Sequence, residues 1–419
     1  MTKTSRLRRS LLGCLIGCMG VVGFGGVPAF ALPYSLLTTI GIPTTGSNTT
    51  GGRLTSFDIS YFDGNTQNYY LADRSNNTVD VLSAATNSLV TQFGTGTFSG
   101  ALSSPDISGP NGVMVANNQV WVGNGDSTVH VYNVSGSTYT LATSVSTSLV
   151  SATATKRADE MAVDPTDHVA IVANDAATPS PYLNFINTTT HAVTSQLVLD
   201  GSGTTPNATG GIEQPVWMPS NDKFYVSIPQ IGGSGPGGIA EIDPTTGQVI
   251  KIYDLAGFGI SGCGPTGLVK GSGNQLLIGC GTAGTQTILF DPTANGGSGN
   301  VVAKFGFSGS DEVAFDPTNS LYFVTASSSG QLGIIDGLTN TFLGSLTTAT
   351  GAHSVAVDPV SGEVFVPLGA GAGNTICPGG CVAVYAAPEP TSIALLAVGV
   401  AGLAGMIALD RRSRRSVRC

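Results

Sequence analysis

Charge is scarce in this chain. Only 10% of its 419 residues are charged, against 41% apolar ones, and 17 lysines and arginines face 26 acids. Four of the basic residues (Lys3, Arg6, Arg8, Arg9) and five more (Arg411, Arg412, Arg414, Arg415, Arg418) sit at the extreme ends. That leaves eight in between against twenty-four acids, a net charge of about −16, which repels nucleic acid and anionic lipid. The Gly-rich segments 232–238 and 369–373 lack the lysine and the strand–loop–helix setting of a phosphate-binding loop, so they read as connecting loops. No serine stands in a strand–turn–helix elbow, which removes the usual nucleophile of a hydrolase. Histidine occurs four times and tryptophan twice. His130 falls on a predicted strand, and His168 and His191 fall in turns expected to be solvent-exposed. Trp121 and Trp217 lie within predicted strands, where packing is the default and stacking on a sugar the alternative.

What is abundant is glycine, threonine, serine, asparagine and valine, the composition of a turn-rich all-β protein. Its organisation comes from one recurring phrase. ADEMAVDPTDHVAIVAND from Ala158, SDEVAFDPTNSLYFVTA from Ser310 and AHSVAVDPVSGEVFVPL from Ala352 are clear copies. Looser ones begin at Leu54, Gly109, Ile212 and Gly264. Each gives an apolar strand, a turn rich in Asp, Pro, Asn and Gly, and a second strand of aromatic and β-branched residues. A further strand pair follows most copies, so the units are four-stranded and roughly 42 to 56 residues long, a period that predicts a seven-bladed β-propeller. The seventh unit is one strand short. Its third strand, Val382–Tyr385, runs into Pro388, and Ser35–Ile40 is expected to supply the partner and close the ring.

The ends carry a different message. Lys3, Arg6, Arg8 and Arg9 precede an apolar stretch from Leu11 to Val27, and Ala29-Phe30-Ala31 supplies the small residues of a signal-peptidase site, with cleavage expected after Ala31. At the other end Thr391 to Leu409 is uncharged, about 28 Å of helix at 1.5 Å per residue, enough to span a bilayer. The arginines that follow place the C-terminus on the cytoplasmic side. The domains are therefore expected at 1–31 (signal peptide), 32–387 (propeller) and 388–419 (tail, with a transmembrane helix over 391–409).

Pro388-Glu389-Pro390, the adjacent apolar helix and the cluster Arg411, Arg412, Arg414 and Arg415 resemble the sorting tail of PEP-CTERM proteins of Gram-negative bacteria. Ala387 and Thr391-Ser392 depart mildly from the usual flanking residues. The resemblance covers about the last thirty residues and implies recognition by an exosortase, with attachment to the membrane through the helix before processing. It also implies export to the envelope, surface or extracellular matrix. The segment YYLADRSNNTVDVLSAATNSLVTQF, Tyr69 to Phe93, resembles the YVTN repeat of seven-bladed surface propellers, which implies the fold and says little about function.

Four cysteines remain in the exported body, an even number in an oxidising compartment. Cys377 and Cys381 bracket a tight loop, and Cys263 and Cys280 flank a predicted hairpin; both pairs are expected to be disulfides. At the start of the innermost strands, aligning the copies gives Thr55, Asn111, Asp159, Glu213, Thr266, Asp311 and His353, followed by Glu160, Gln214 and Glu312. These residues are expected to converge on one mouth of the central channel. Asp159, Glu213, Asp311 and His353 are the candidate ligands of a divalent cation such as calcium, with zinc or manganese admitted by the imidazole. Asn111, Glu160, Gln214 and Glu312 are the candidate ligand-binding residues. The other reading is that all of them cap strand ends and face channel water.

In outline the set resembles the metal pocket of gluconolactonase-like propellers, but no residue stands out as a general base. The expected function is therefore a binding or scaffold module for extracellular polysaccharide or a surface protein. A metal-dependent, lactonase-like hydrolase is the alternative.

Overall fold

The computed structural model describes residues 34–149, 156–282 and 284–387. The expected signal peptide, Pro388-Glu389-Pro390, the span 391–409 and the terminal arginines lie outside the described residues. Among those described, no helix is long and apolar enough to cross a membrane. The helical segments there are single turns, such as Pro105–Ile107 and Leu255–Phe258.

The reason these residues form short antiparallel ribbons is visible in the turn after each innermost strand. Asp63, Asp164, Asp316 and Asp358 close the first strand of blades 1, 3, 6 and 7, and each accepts a hydrogen bond from the backbone N–H two residues on, at 2.8–3.0 Å. This Asx-type turn mimics a backbone turn and hands the chain to a left-handed residue four positions after the aspartate. That residue is Gln67, His168, Ser320 or Gly362, with φ between 55° and 77°. The strand that follows in each blade is almost wholly buried, for example Leu321–Ala326 in blade 6 and Val169–Asn174 in blade 3.

The result is seven four-stranded antiparallel sheets. The innermost strands are Ser60–Asp63, Val113–Ala116, Met161–Asp164, Pro215–Met218, Pro265–Lys270, Val313–Asp316 and Ala356–Val357. Each lies beside the innermost strand of the next blade, and Ala356–Val357 lies beside Ser60–Asp63, so the ring is closed. Seven apolar clusters fill the joints, one between each pair of neighbouring blades. At the joint of blades 7 and 1, Tyr69 stacks on Phe365 with ring centroids 5.1 Å apart, over Leu71 and Val384. Fully burying one such side chain stabilises by about 1.5–3 kcal/mol, and neither face of a single sheet could achieve it alone.

Closure follows the expected route. Ser35–Gly41 pairs antiparallel with Cys381–Ala386, from Ser35 opposite Ala386 to Gly41 opposite Cys381, with a bulge between Leu36 and Thr38. Tyr34 fastens its start by donating to the Gly362 carbonyl at 3.0 Å and packing edge-on against Phe323. Both expected disulfides are present, Cys263–Cys280 and Cys377–Cys381.

Candidate functional site in the central channel

Two residues before the innermost strand of blades 1 to 4, the chain makes a recurring rung. The amides of Asp58, Asn111, Asp159 and Glu213 donate to Ala72, Gly123, Ala173 and Ser227 of the second strand at 2.8–2.9 Å. Thr266, Asp311 and His353 hold the matching place in blades 5 to 7. The first member is therefore Asp58 and not Thr55. Thr55 lies three residues upstream and is held through its amide by the Ser75 hydroxyl at 2.9 Å. The ring thus has four carboxylates, an amide, one hydroxyl and an imidazole.

Sequence reasoning missed what fills it. Of the three arginines between the two ends, two point here. Arg74, just past the second strand of blade 1, pairs with Asp58 and donates to Asn111 Oδ1 at 2.7 and 3.0 Å. Arg157, in the segment entering blade 3, meets Asp159 at 2.8 Å and grips Asp175 through two bonds of 2.7 and 3.0 Å. It also lies 3.7 Å from Asp58. His353 stacks on Phe57 with centroids 4.6 Å apart, bonds the Gly351 carbonyl through Nδ1 at 2.7 Å, and places Nε2 3.8 Å from Asp58.

These contacts set the protonation states. Burial alone would raise the Asp58 carboxyl, but Arg74, His353 and Arg157 together hold it below the usual carboxylate range. Burial disfavours the His353 imidazolium, yet Asp58 and Asp311 outweigh it and push the group up to about 9. Glu213 makes no ion pair among the described residues, and Arg157 acts on it only from a distance. Burial, then Asp175 and Asp311, raise it well above its ordinary value. In this arrangement the ring's positive charge comes from arginine and imidazolium. Among the described residues, no ring member belongs to a cluster of three Asp, Glu, His or Cys ligand atoms within 4.8 Å of one another. Asp159, Glu213, Asp311 and His353 do not form such a cluster in this geometry.

One residue further along the strands lies a second tier of different character: Ile59, Gly112, Glu160, Gln214, Gly267, Glu312 and Ser354. Gly112 is required here, since a Cβ would sit 2.0 Å from the Asp159 carbonyl oxygen of the next blade. Gln214 is committed to structure, accepting from the Leu268 amide at 2.7 Å. Ser354 donates to Glu312 Oε2 and is itself bonded to Ser60 at 2.7 Å. Glu160 and Glu312 are 4% and 1% exposed, and Glu160 Oε2 and Glu312 Oε1 have no hydrogen-bond partner among the described residues. Burial pushes the Glu312 carboxyl up to about 8, and burial together with Glu213 and Asp159 raises Glu160 well above its ordinary value.

Both carboxyls face a chamber of about 310 Å³ that continues down the channel. Its walls are Tyr61, Met114, Met161, Val163, Val216 and Trp217. Trp217 is only half-buried, whereas Trp121 is fully buried in its blade. A second depression of about 480 Å³ adjoins the ring between blades 7 and 1, lined by Thr55, Phe57, Arg74, His353 and Asn374. The remaining histidines stand aside from the channel set. His130 is buried on the third strand of blade 2, His168 is exposed in its turn, and His191 is half-buried with Nε2 2.9 Å from Gln119 Oε1.

No family model and no curated protein match the chain. Solved structures do. A chain of hydrazine synthase from Kuenenia stuttgartiensis aligns with TM-score 0.60 at 13% identity, covering 78% of this chain and 96% of its own. A chain of the mitotic checkpoint complex aligns with TM-score 0.60 at 11% identity, covering 92% and 99%. At such identity the likeness concerns the propeller fold alone, and two proteins so unlike leave function to be argued from the channel.

Proposed function

We propose that the chain is an exported binding propeller whose channel chamber takes a sugar residue, as presented by the end of an extracellular polysaccharide. The observation that carries this reading is the pair of buried, unpartnered carboxyl oxygens on Glu160 and Glu312 at the head of a chamber with apolar walls. Buried acceptors without donors are costly, and vicinal hydroxyl groups are donors of the right kind. The half-buried indole of Trp217 offers an apolar face for the carbon side of a sugar ring. The volume lies at the lower end of small-ligand pockets, which suits one ring rather than a long chain laid across the surface.

Export is the second part of the proposal. It rests on the basic–apolar leader ending at Ala31, the Pro388-Glu389-Pro390 tail with its arginines, and the two disulfides, which suit an oxidising compartment. An exosortase-type protease is the proposed sorting partner, and a Gram-negative envelope or matrix the proposed location.

The test is calorimetric titration of the full-length chain with oligosaccharides released from the native matrix. Trp217→Ala is expected to weaken binding by about tenfold or more, near 1.4 kcal/mol. Glu160→Leu combined with Glu312→Leu should abolish it. Unchanged affinity in both variants, or no binding by the parent chain, would sink the sugar reading.

A further inference from the structure

Four blades end their innermost strand with the same aspartate, and three of these turns are closed in the same way. In blade 1, Thr66 Oγ1 donates to the second oxygen of Asp63 at 2.7 Å. In blade 6, Asn319 Nδ2 donates to Asp316 Oδ2 at 2.7 Å. In blade 7, Ser361 Oγ donates to Asp358 Oδ2 at 2.6 Å. The donor always stands three residues after the aspartate.

Blade 3 breaks the pattern. Its aspartate, Asp164, is fully buried, and Oδ1 accepts from the amides of Thr166 and Asp167 at 2.8 and 3.3 Å. The residue three positions on is Asp167, an acceptor where the other turns have a donor, and Asp164 Oδ2 has no hydrogen-bond partner. A third carboxylate approaches from the equivalent turn of blade 4. One oxygen from each of Asp164, Asp167 and Asp222 lies within 4.8 Å of the other two. The nearest lysine in sequence does not neutralise them, because Lys223 Nζ is spent on Asp243 at 3.3 Å and on the Asp222 carbonyl at 2.9 Å.

We infer that Asp164, Asp167 and Asp222 hold a hard divalent cation, of calcium type, that bridges blades 3 and 4. The donor set is oxygen only, which selects calcium or magnesium over zinc. Two of the three carboxylates are exposed, on separate turns, so solvent completes the shell without demanding a rigid octahedron. That flexibility favours calcium. The cation replaces the missing donor and neutralises two of three converging negative charges, which the other turns never assemble. Its role is to clamp one joint of the wheel, on the side of the channel away from the arginine ring.

The experiment uses the full-length chain, freed of metal by a chelator and titrated with calcium chloride, with heat of binding and thermal midpoint as readouts. One calcium per chain is expected, with the midpoint rising by a few degrees at saturating calcium. Asp167→Thr gives blade 3 the donor that blade 1 has. It should bind calcium at least tenfold more weakly and yet melt no lower than the metal-free parent. Asp222→Asn, at an exposed position, should weaken binding while leaving the fold intact. Absence of calcium binding would overturn the inference, as would affinity unchanged from the parent chain in both variants, which would locate the cation elsewhere. Preference for magnesium over calcium would overturn the assignment of the ion.

Discussion

In the channel ring Asp159 meets Arg157 at 2.8 Å and Asp58 meets Arg74, whereas in the tier one residue further along Glu160 and Glu312 form no ion pair among the described residues and each keep an oxygen with no donor there. The side chains are alike and equally deep. What separates a structural lock from a ligand surface is the supply of cations, and the protein spends two of its few arginines on the first tier alone. In the first tier the arginines supply ion pairs to Asp58 and Asp159, although Asp159 Oδ1 still has no hydrogen-bond partner among the described residues. The second is left with hydrogen-bonding capacity that only a proton or a ligand can meet.

The largest expected effect is therefore on the locked tier. Arg157→Ala leaves Asp159 and Asp175 buried without their cation, and removing one partner of a buried ion pair typically costs about 3–5 kcal/mol. A denaturant melt should show that loss, while Glu160→Gln, which mimics the protonated acid, is expected to be neutral or stabilising at pH 8. Equal losses in the two variants would erase the distinction between the tiers.

Next in size is the pH dependence. Glu312 is raised from about 4.5 to about 8, so its contribution is fully present below pH 4.5 and lost as pH climbs through 8. His353, raised from 6.5 to about 9, contributes below pH 6.5 and loses that as pH rises through 9. Asp58 runs the other way: depressed in the fold, it stabilises above its unfolded value of 3.8 and fails as pH falls below it. Stability should peak on the acid side of neutrality and decline between pH 6.5 and 9 by a few kcal/mol, because moving a proton equilibrium tenfold takes about 1.4 kcal/mol. Thermal midpoints of Glu312→Gln should decline much less over that window. Parallel curves for the two proteins would show that the second tier carries no such strain.

Smallest is His353→Gln, which keeps a polar side chain over Phe57 but removes the imidazolium 3.8 Å from Asp58. A loss of about 1 kcal/mol is expected at pH 6, vanishing by pH 10.

Most of the wheel was legible in the chain because each blade repeats the same local chemistry. Asp63, Asp164, Asp316 and Asp358 mark the strand ends, and the left-handed residue four positions later marks the next strand. The same marker would have located the ring member of blade 1. Asp159, Asp311 and His353 each precede the turn aspartate by five residues, and counting back from Asp63 gives Asp58, whereas alignment by apolar pattern gave Thr55. Arg74 and Arg157 could not be found this way. Arg74 sits in the turn after the second strand of blade 1 and Arg157 in the segment entering blade 3, positions where no other blade has an arginine, so no periodicity points to them and their one signal is rarity. Glu160 and Glu312 were visible as a pair, but their unpartnered oxygens depend on what Gly112 and Gly267 in the same tier do not supply and on Ser354 reaching only Oε2 of Glu312.

The latch formed by Ser35–Gly41 and Cys381–Ala386 has a mechanical corollary. Because Ser35 faces Ala386, the chain enters and leaves the wheel at one point on its rim. A load stretched between the two ends pulls facing residues apart, and the seam opens like a zip, one pair at a time.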